Sequence, residues 1–176
     1  NIKRLISEAK RLNAKYILIG ECGHASRSAK YFVPVFGGKD SLPVINCVEL
    51  AYHKFKEGKL KLIPHSIKER LTYHDPCNIA RSGWIIDQPR VLLKHIASDF
   101  VEMAPNKTMN YCCGGGGGTV SIDEMHEFRM EIGGKLKAEQ LKQTKADIVV
   151  APCANCKKQL RELINYYDLP MEVKGL

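Results

Sequence analysis

At 176 residues, with 44% hydrophobic and 26% charged residues, the chain has the composition of an ordinary water-soluble globular protein large enough to bury a core of its own. No apolar run approaches the roughly 20 residues that span a bilayer, and the opening residues do not form a signal peptide. The net charge of +8 suits an anionic partner. Its lysines and arginines, however, are spread over helical segments without interleaved aromatics, which reads as solvated faces and partner steering and argues against nucleic-acid binding.

A chain that opens on Asn1 and runs straight into a helical pattern is expected to be a piece of something longer. Ile2, Leu5, Ile6, Ala9 and Leu12 recur at helical spacing and predict a first helix over Ile2–Leu12. Tyr16–Gly20 reads as a buried strand ending in a turn, Pro43–Cys47 as a second strand followed by a helix to about Glu57, and Arg70–His74 as a third strand broken by Asp75-Pro76. Asp87 is a candidate N-cap for a helix through Ile96 with Val91, Leu92 and Ile96 inward, and Phe100–Met103 is a short strand. Ser121 and Glu124 have capping-box spacing before a long helix whose inward face is Met125, Phe128, Ile132 and Leu136. Gly133-Gly134 interrupts that helix, so close packing or a break is expected there. Ala146–Ala151 is the clearest buried strand, and a last helix over about Asn155–Tyr167 buries Leu160, Leu163, Ile164 and Tyr167. This alternation predicts a layered α/β fold, mainly parallel, with flanking helices.

Seven cysteines exceed what packing alone needs, and an odd number fits a closed disulfide framework poorly, so metal is favoured. They fall near strand ends. Cys22, Cys47, Cys77 and Cys153 each end or follow a predicted strand, and open α/β sheets collect their sites beyond the carboxyl ends of the strands. Cys153-Ala-Asn-Cys156 places two thiols at a helix start, a spacing shared by zinc, redox and cluster sites. Cys112-Cys113 is rarer. Adjacent thiols are explained better as ligands than as a strained disulfide, and with Cys77 the set holds one thiol more than a tetrahedral zinc or cubane site requires. The glycine run Gly114–Gly118 follows, where backbone N–H groups can approach a bound group with no Cβ in the way. Positive helix ends at Ser121 and Asn155, and the side chains of Arg81, Lys157 and Lys158, are candidates to offset the charge of such a site. Cys47 reads as a buried small hydrophobe. Cys22, two residues before His24, is a candidate for a place near the site.

Cys77, Cys112-Cys113-Gly114 and Cys153-Ala-Asn-Cys156 together resemble the CCG domain of heterodisulfide reductase catalytic subunits and their relatives. The stretches Tyr73–Gly83 and Gly20–Ala25 are most similar to the DsrK-like branch. The resemblance covers about Leu71–Ile164 on specific motifs and the rest of the chain more loosely. It implies a noncubane 4Fe-4S cluster on Cys77, Cys112, Cys113, Cys153 and Cys156, with Gly114 and Gly115 against it, reducing or oxidising a disulfide or trisulfide. Zn²⁺ on four of these cysteines, without redox chemistry, is the alternative. Cleaving a disulfide also needs protons, and His24, His74 and His126 lie close to the motifs. His24 and His126 are the candidates set beside Cys113 as catalytic, with geometry to choose, while His53, His65 and His95 read as surface residues.

Only one complete motif is present, and Cys-x-x-Cys-x-x-Cys relay segments are absent, so residues 1–68 are expected to be a degenerate first repeat and residues 69–176 the complete one. The resemblance further implies a catalytic domain of a longer cytoplasmic subunit, peripheral to a membrane complex. A quinone-linked membrane subunit and a small DsrC-like protein carrying substrate thiols would be its partners, and the electron supply would lie outside this chain.

Overall fold

The computed structural model describes residues 1–176. The chain alternates α1 (Ile2–Arg11), β1 (Ile17–Ile19), α2 (Gly23–Gly37), β2 (Val44–Asn46), α3 (Cys47–Lys56) and β3 (Ile67–Tyr73). It continues through α4 (Asp87–Ile96), β4 (Ala97–Val101), the single turn α5 (His126–Phe128), α6 (Lys135–Thr144), β5 (Ile148–Val150), α7 (Ala154–Tyr166) and β6 (Glu172–Lys174). Every strand pairing is parallel: β1 lies beside β2, and a second sheet runs in the order β4-β3-β5-β6. The mainly parallel layered fold expected from the alternation is therefore present. β3 begins at Ile67, two residues before the boundary expected at 69.

Two apolar clusters anchor the sheets. Ile6, Ala9, Ile17, Ala29 and Val33 pack the first, while Ile79, Leu141, Val149, Leu160 and Ile164 join Cys113, Cys153 and Cys156 in the largest. The thiols are thus part of the main core.

Several elements depart from the sequence reading. Helix α2 is absent from it, because Ser26, Ser28, Pro34 and Gly37 dilute the apolar pattern. Its start is set by Cys22, whose sulfur accepts the Ala25 N–H at 3.4 Å as an N-cap. Strand β6 is also new. Asp87 is the first residue of α4 and not its cap, which is Ile86, and Val91 faces out while Leu92 and Leu93 turn in.

The long helix expected after Ser121 does not form. Ser121 and Glu124 make no capping bond, and the segment runs as 3-10 turns, then α5, then a π-helical turn over Arg129–Gly133 before α6. The extra residue in the π turn rotates the inward face. Arg129 and Met130 are buried, and Phe128, Ile132 and Leu136 are exposed. Arg129 is drawn inward by hydrogen bonds from its guanidinium to Gln159 and Glu162 on α7. Close packing at the glycine pair does occur: a Cβ on Gly134 would lie 2.6 Å from Leu163 Cδ2.

The turn after β3 is fixed by charge. Arg90 on α4 donates to both carboxylate oxygens of Asp75, at 2.9 and 2.7 Å, and to Glu102 at 2.8 Å, and the Lys107 backbone N–H donates to Asp75 at 2.7 Å. The Arg90 and Asp75 side chains are 5% and 0% exposed, so each depends on the other for its lost hydration. Arg90→Met is expected to destabilise the fold by about 3–5 kcal/mol in denaturant titration, by stranding Asp75. Arg70→Met, which breaks the half-exposed pair with Asp99, should cost under about 1 kcal/mol. Equal effects would contradict this reading.

A candidate iron–sulfur centre

The five thiols singled out in the sequence meet in one place. Cys77 follows the turn after β3, Cys112 and Cys113 come from the loop beyond β4, and Cys153 and Cys156 open α7 after β5. All five border one cavity together with Gly23, His24, Pro76, Asn78, Gly115, Gly116 and Asn155, beyond the carboxyl ends of β3 and β5. None of the seven cysteines is in a disulfide.

The loop carrying Cys112 and Cys113 is held from below. Arg81 donates to the carbonyls of Thr108 and Asn110 at 2.8 and 2.7 Å, and the Asn110 side chain donates to the Asp75 carbonyl at 2.6 Å. Gly114 then reverses the chain at φ +90, where a Cβ would sit 2.7 Å from the backbone of Gly133. Its N–H donates to Cys112 Sγ at 3.4 Å, and the Gly115 N–H is directed at Cys113. Gly115 lines the cavity; Gly114 shapes the loop beside it.

The sulfurs form a continuous chain. Cys113 and Cys156 are 3.4 Å apart, Cys112 faces Cys113 and Cys77, and Cys156 faces Cys113 and Cys153. Neighbouring thiols cannot all lose protons, because each new charge opposes the last. Acidity is therefore divided unequally among them. Hydrogen bonds from Cys113 and Cys77 pull Cys112 well below the ordinary thiol range, and a bond from Cys156, backed by N–H groups of Cys156, Gly23 and Asn155, lowers Cys153 to about 5. Cys113 is pushed up to about 12, chiefly by Cys112; Cys77 is raised chiefly by Cys112 and Cys156 chiefly by Cys113.

Helix geometry accounts for part of this. Cys153 is the N-cap of α7, and the N-terminal Gly23 N–H of α2 also points at its sulfur. Two helix starts therefore direct positive dipole ends at one thiolate. The sequence located the start of α7; the other comes from α2, and Ser121, in a 3-10 turn, supplies none. The expected cations are also engaged elsewhere. Arg81 holds carbonyls, Lys157 pairs with Glu21, and Lys158 donates to the Val120 carbonyl at 2.6 Å.

The histidines separate clearly. His24 borders the thiol cavity and also a cleft of about 600 Å³ containing Arg27, Lys30, Tyr31 and Phe32. His126 is exposed and stacks edge-on against Tyr166, outside the cavity. His74 is fully buried, and one of its ring nitrogens lies within 4.8 Å of the sulfurs of Cys113 and Cys156. His53 and His65 are exposed as expected, whereas His95 is half-buried against Phe55. Cys22 serves as the α2 cap without lining the cavity, and Cys47 packs half-buried against the main core. Lys137, fully buried near the thiols, escapes sequence reasoning, because a lysine on a charged helix carries no sign of burial.

Five thiols in contact, with dipoles and N–H groups aimed at them, exceed the four donors a structural zinc uses and suit the thiolate ligation of an iron–sulfur cluster. The cysteine-rich CCG domain matches residues 71–161. The chain belongs to this CCG family. Over 98% of its length it is 28% identical to an Hdr-like menaquinol oxidoreductase iron-sulfur subunit of Archaeoglobus profundus, covering 38% of that protein. It is 31% identical over 89% of its length to a dihydromethanophenazine:CoB–CoM heterodisulfide reductase polypeptide of Methanosarcina barkeri, again 38% of the relative. An EtfAB:quinone oxidoreductase of Syntrophomonas wolfei shares 31% identity over 79% of this chain and 20% of its own. The chain spans about two fifths or less of the length of these relatives. Among solved structures, a glutamate racemase of Campylobacter jejuni reaches a TM-score of 0.43 at 12% identity, over 97% of this chain and 59% of that one. A likeness that slight carries no argument. No helix is long and apolar enough to cross a membrane.

In the metal-free chain, the half-buried to exposed thiols should differ in reactivity. Cys112 has a depressed pKa and is exposed, whereas the half-buried Cys47 and Cys77 are pushed up, so at pH 6, below the ordinary thiol pKa of about 8.5, Cys112 should be largely thiolate and Cys47 and Cys77 should not. Iodoacetamide mapped by mass spectrometry should label Cys112 first, and uniform labelling would contradict the unequal acidity.

Proposed function

We propose that the chain is the redox-catalytic portion of a heterodisulfide reductase-like, DsrK-like subunit. It would hold a noncubane 4Fe-4S cluster on Cys77, Cys112, Cys113, Cys153 and Cys156 and reduce or form a disulfide or trisulfide there. The observation that carries this reading is the unbroken contact chain of five thiols around one cavity. When bound, the cluster would accept and donate electrons and offer iron to substrate sulfur.

The protein's own groups supply the rest. The cleft beside the thiols presents Arg27 and Lys30 with Tyr31 and Phe32, suited to steering a substrate, and His24 stands between cleft and cavity. Reductive cleavage of a disulfide consumes two electrons and two protons and releases two thiols. His24 is placed to deliver protons at the cavity mouth. His126, outside the cavity, is not placed to deliver one directly. Gly114 and Gly115 direct N–H groups at the sulfurs, and burial of Cys113 excludes water from the inner edge. Cys113 is assigned the sulfur position closest to the chemistry.

Electrons would come from a quinone-linked membrane subunit, and substrate thiols from a small DsrC-like protein, in a cytoplasmic assembly peripheral to the membrane. Residues 1–68 would be a shortened repeat of the unit at 69–176. The relatives' names, which include a menaquinol oxidoreductase iron-sulfur subunit and a heterodisulfide reductase, support the quinone link and the disulfide chemistry.

The test is electron paramagnetic resonance on the anaerobically reconstituted protein. Addition of a disulfide to the reduced form should oxidise the cluster and change its signal. Cys113→Ser should abolish or convert that signal, and Cys47→Ser should leave it intact. Equal loss in both variants, or a signal indifferent to disulfide, would contradict the assignment.

A further inference from the structure

Lys137 on α6 is 0% exposed, and no carboxylate forms a salt bridge with it. An ammonium has three donors and no acceptor, and isolating one from water is costly unless its donors are used. Its nitrogen donates to Asn110 Oδ1 at 2.8 Å and to Gln140 Oε1, and lies 3.7 Å from Met103 Sδ. Burial pulls its pKa down to about 8, and the sulfurs of Cys113, Cys112 and Cys156 and the Asp75 carboxylate offset part of that loss.

That contact fixes the neighbouring amide. Because Lys137 can only donate, the oxygen of Asn110 must face it, and the NH₂ group must face the other way. There Asn110 Nδ2 donates to the Asp75 carbonyl at 2.6 Å and meets His74 Nδ1 at 3.4 Å. An NH₂ donor opposite Nδ1 requires Nδ1 to accept, and a neutral imidazole then carries its hydrogen on Nε2. Nε2 is buried without a protein partner. His74 is also the histidine whose ring reaches Cys113 and Cys156.

We propose that Lys137, acting through Asn110, holds His74 in the Nε2–H tautomer, so that His74 offers a free donor to the sulfur of a group bound at the thiol cavity and is not a metal ligand. Ligation through Nε2 would need the hydrogen on Nδ1, where it would meet the amide N–H of Asn110 head-on. Lys137 and Asn110 are positioning residues. Their consequence for a cluster rests on the function proposed above: a hydrogen bond to sulfur and a nearby fixed cation favour the reduced, more negative state and raise its potential.

Two measurements separate this inference from that function. The first needs no metal. Long-range ¹⁵N–¹H spectra of the metal-free, histidine-labelled chain report which nitrogen of each ring is protonated. His74 should be Nε2–H in the wild type, and Asn110→Asp, which places an acceptor opposite Nδ1, should invert it to Nδ1–H. An Nδ1–H tautomer in the wild type, or no inversion in folded Asn110→Asp, overturns the proposal.

The second is a redox titration of the reconstituted protein followed by electron paramagnetic resonance. At equal iron content, Lys137→Met should lower the midpoint potential, and Lys137→Arg should restore it towards wild type. An unchanged midpoint in Lys137→Met, or loss of iron in His74→Gln comparable to that in Cys113→Ser, overturns it. Failure to assemble any cluster would count against the proposed function while leaving the tautomer result standing.

Discussion

Five thiols packed into one core cavity impose a constraint that the rest of the molecule answers. Each sulfur that ionises makes its neighbours harder to ionise, and along the chain from Cys77 to Cys153 the thiols of Cys112 and Cys153 are made more acidic while those of Cys77, Cys113 and Cys156 are made less so. Only bound cations allow all of them to be thiolates together, and metal binding would then release the protons held on Cys77, Cys113 and Cys156. The arrangement is therefore a strong site for a multi-iron group and a poor one for an inert core.

The scaffold serves that constraint from three directions. Parallel strands deliver the cysteines to one end of the larger sheet, and the starts of α2 and α7 converge on Cys153. Beneath them runs a buried polar layer in which Arg90 holds Asp75, and Asp75 in turn holds the backbone of Lys107. Asn110 ties His74, Asp75 and Lys137 together two residues before the Cys112-Cys113 pair. These polar groups are buried where apolar packing would be more stable in isolation. Their placement under the thiols ties them to the site.

Much of this is legible in the sequence, for reasons that differ by element. The strands β3 and β5 and the helix α7 have strong apolar patterns, and all five cysteines of the cavity are marked by type and spacing. The helix α2 is hidden because its stabilisation is tertiary and its cap is a cysteine, a residue not ordinarily read as one. The segment after Ser121 misleads because its periodic apolar residues Phe128, Ile132 and Leu136 suggest a straight helix, whereas the π turn and the inward pull on Arg129 turn them to solvent. Lys137 could not be placed, since a buried cation is defined by what surrounds it, whereas His74 is marked by its nearness to Cys77 in sequence and lies beside the sulfurs of Cys113 and Cys156. Of the histidines expected near the chemistry, His24 is at the cavity and His126 is not.

The metal content of the protein purified without oxygen after iron-replete expression tests the central claim most directly. Roughly four iron and four sulfide per chain, lost together when Cys113 is replaced, are expected for a cluster on these thiols. About one zinc per chain with no iron or sulfide would contradict it and leave a structural metal domain in its place.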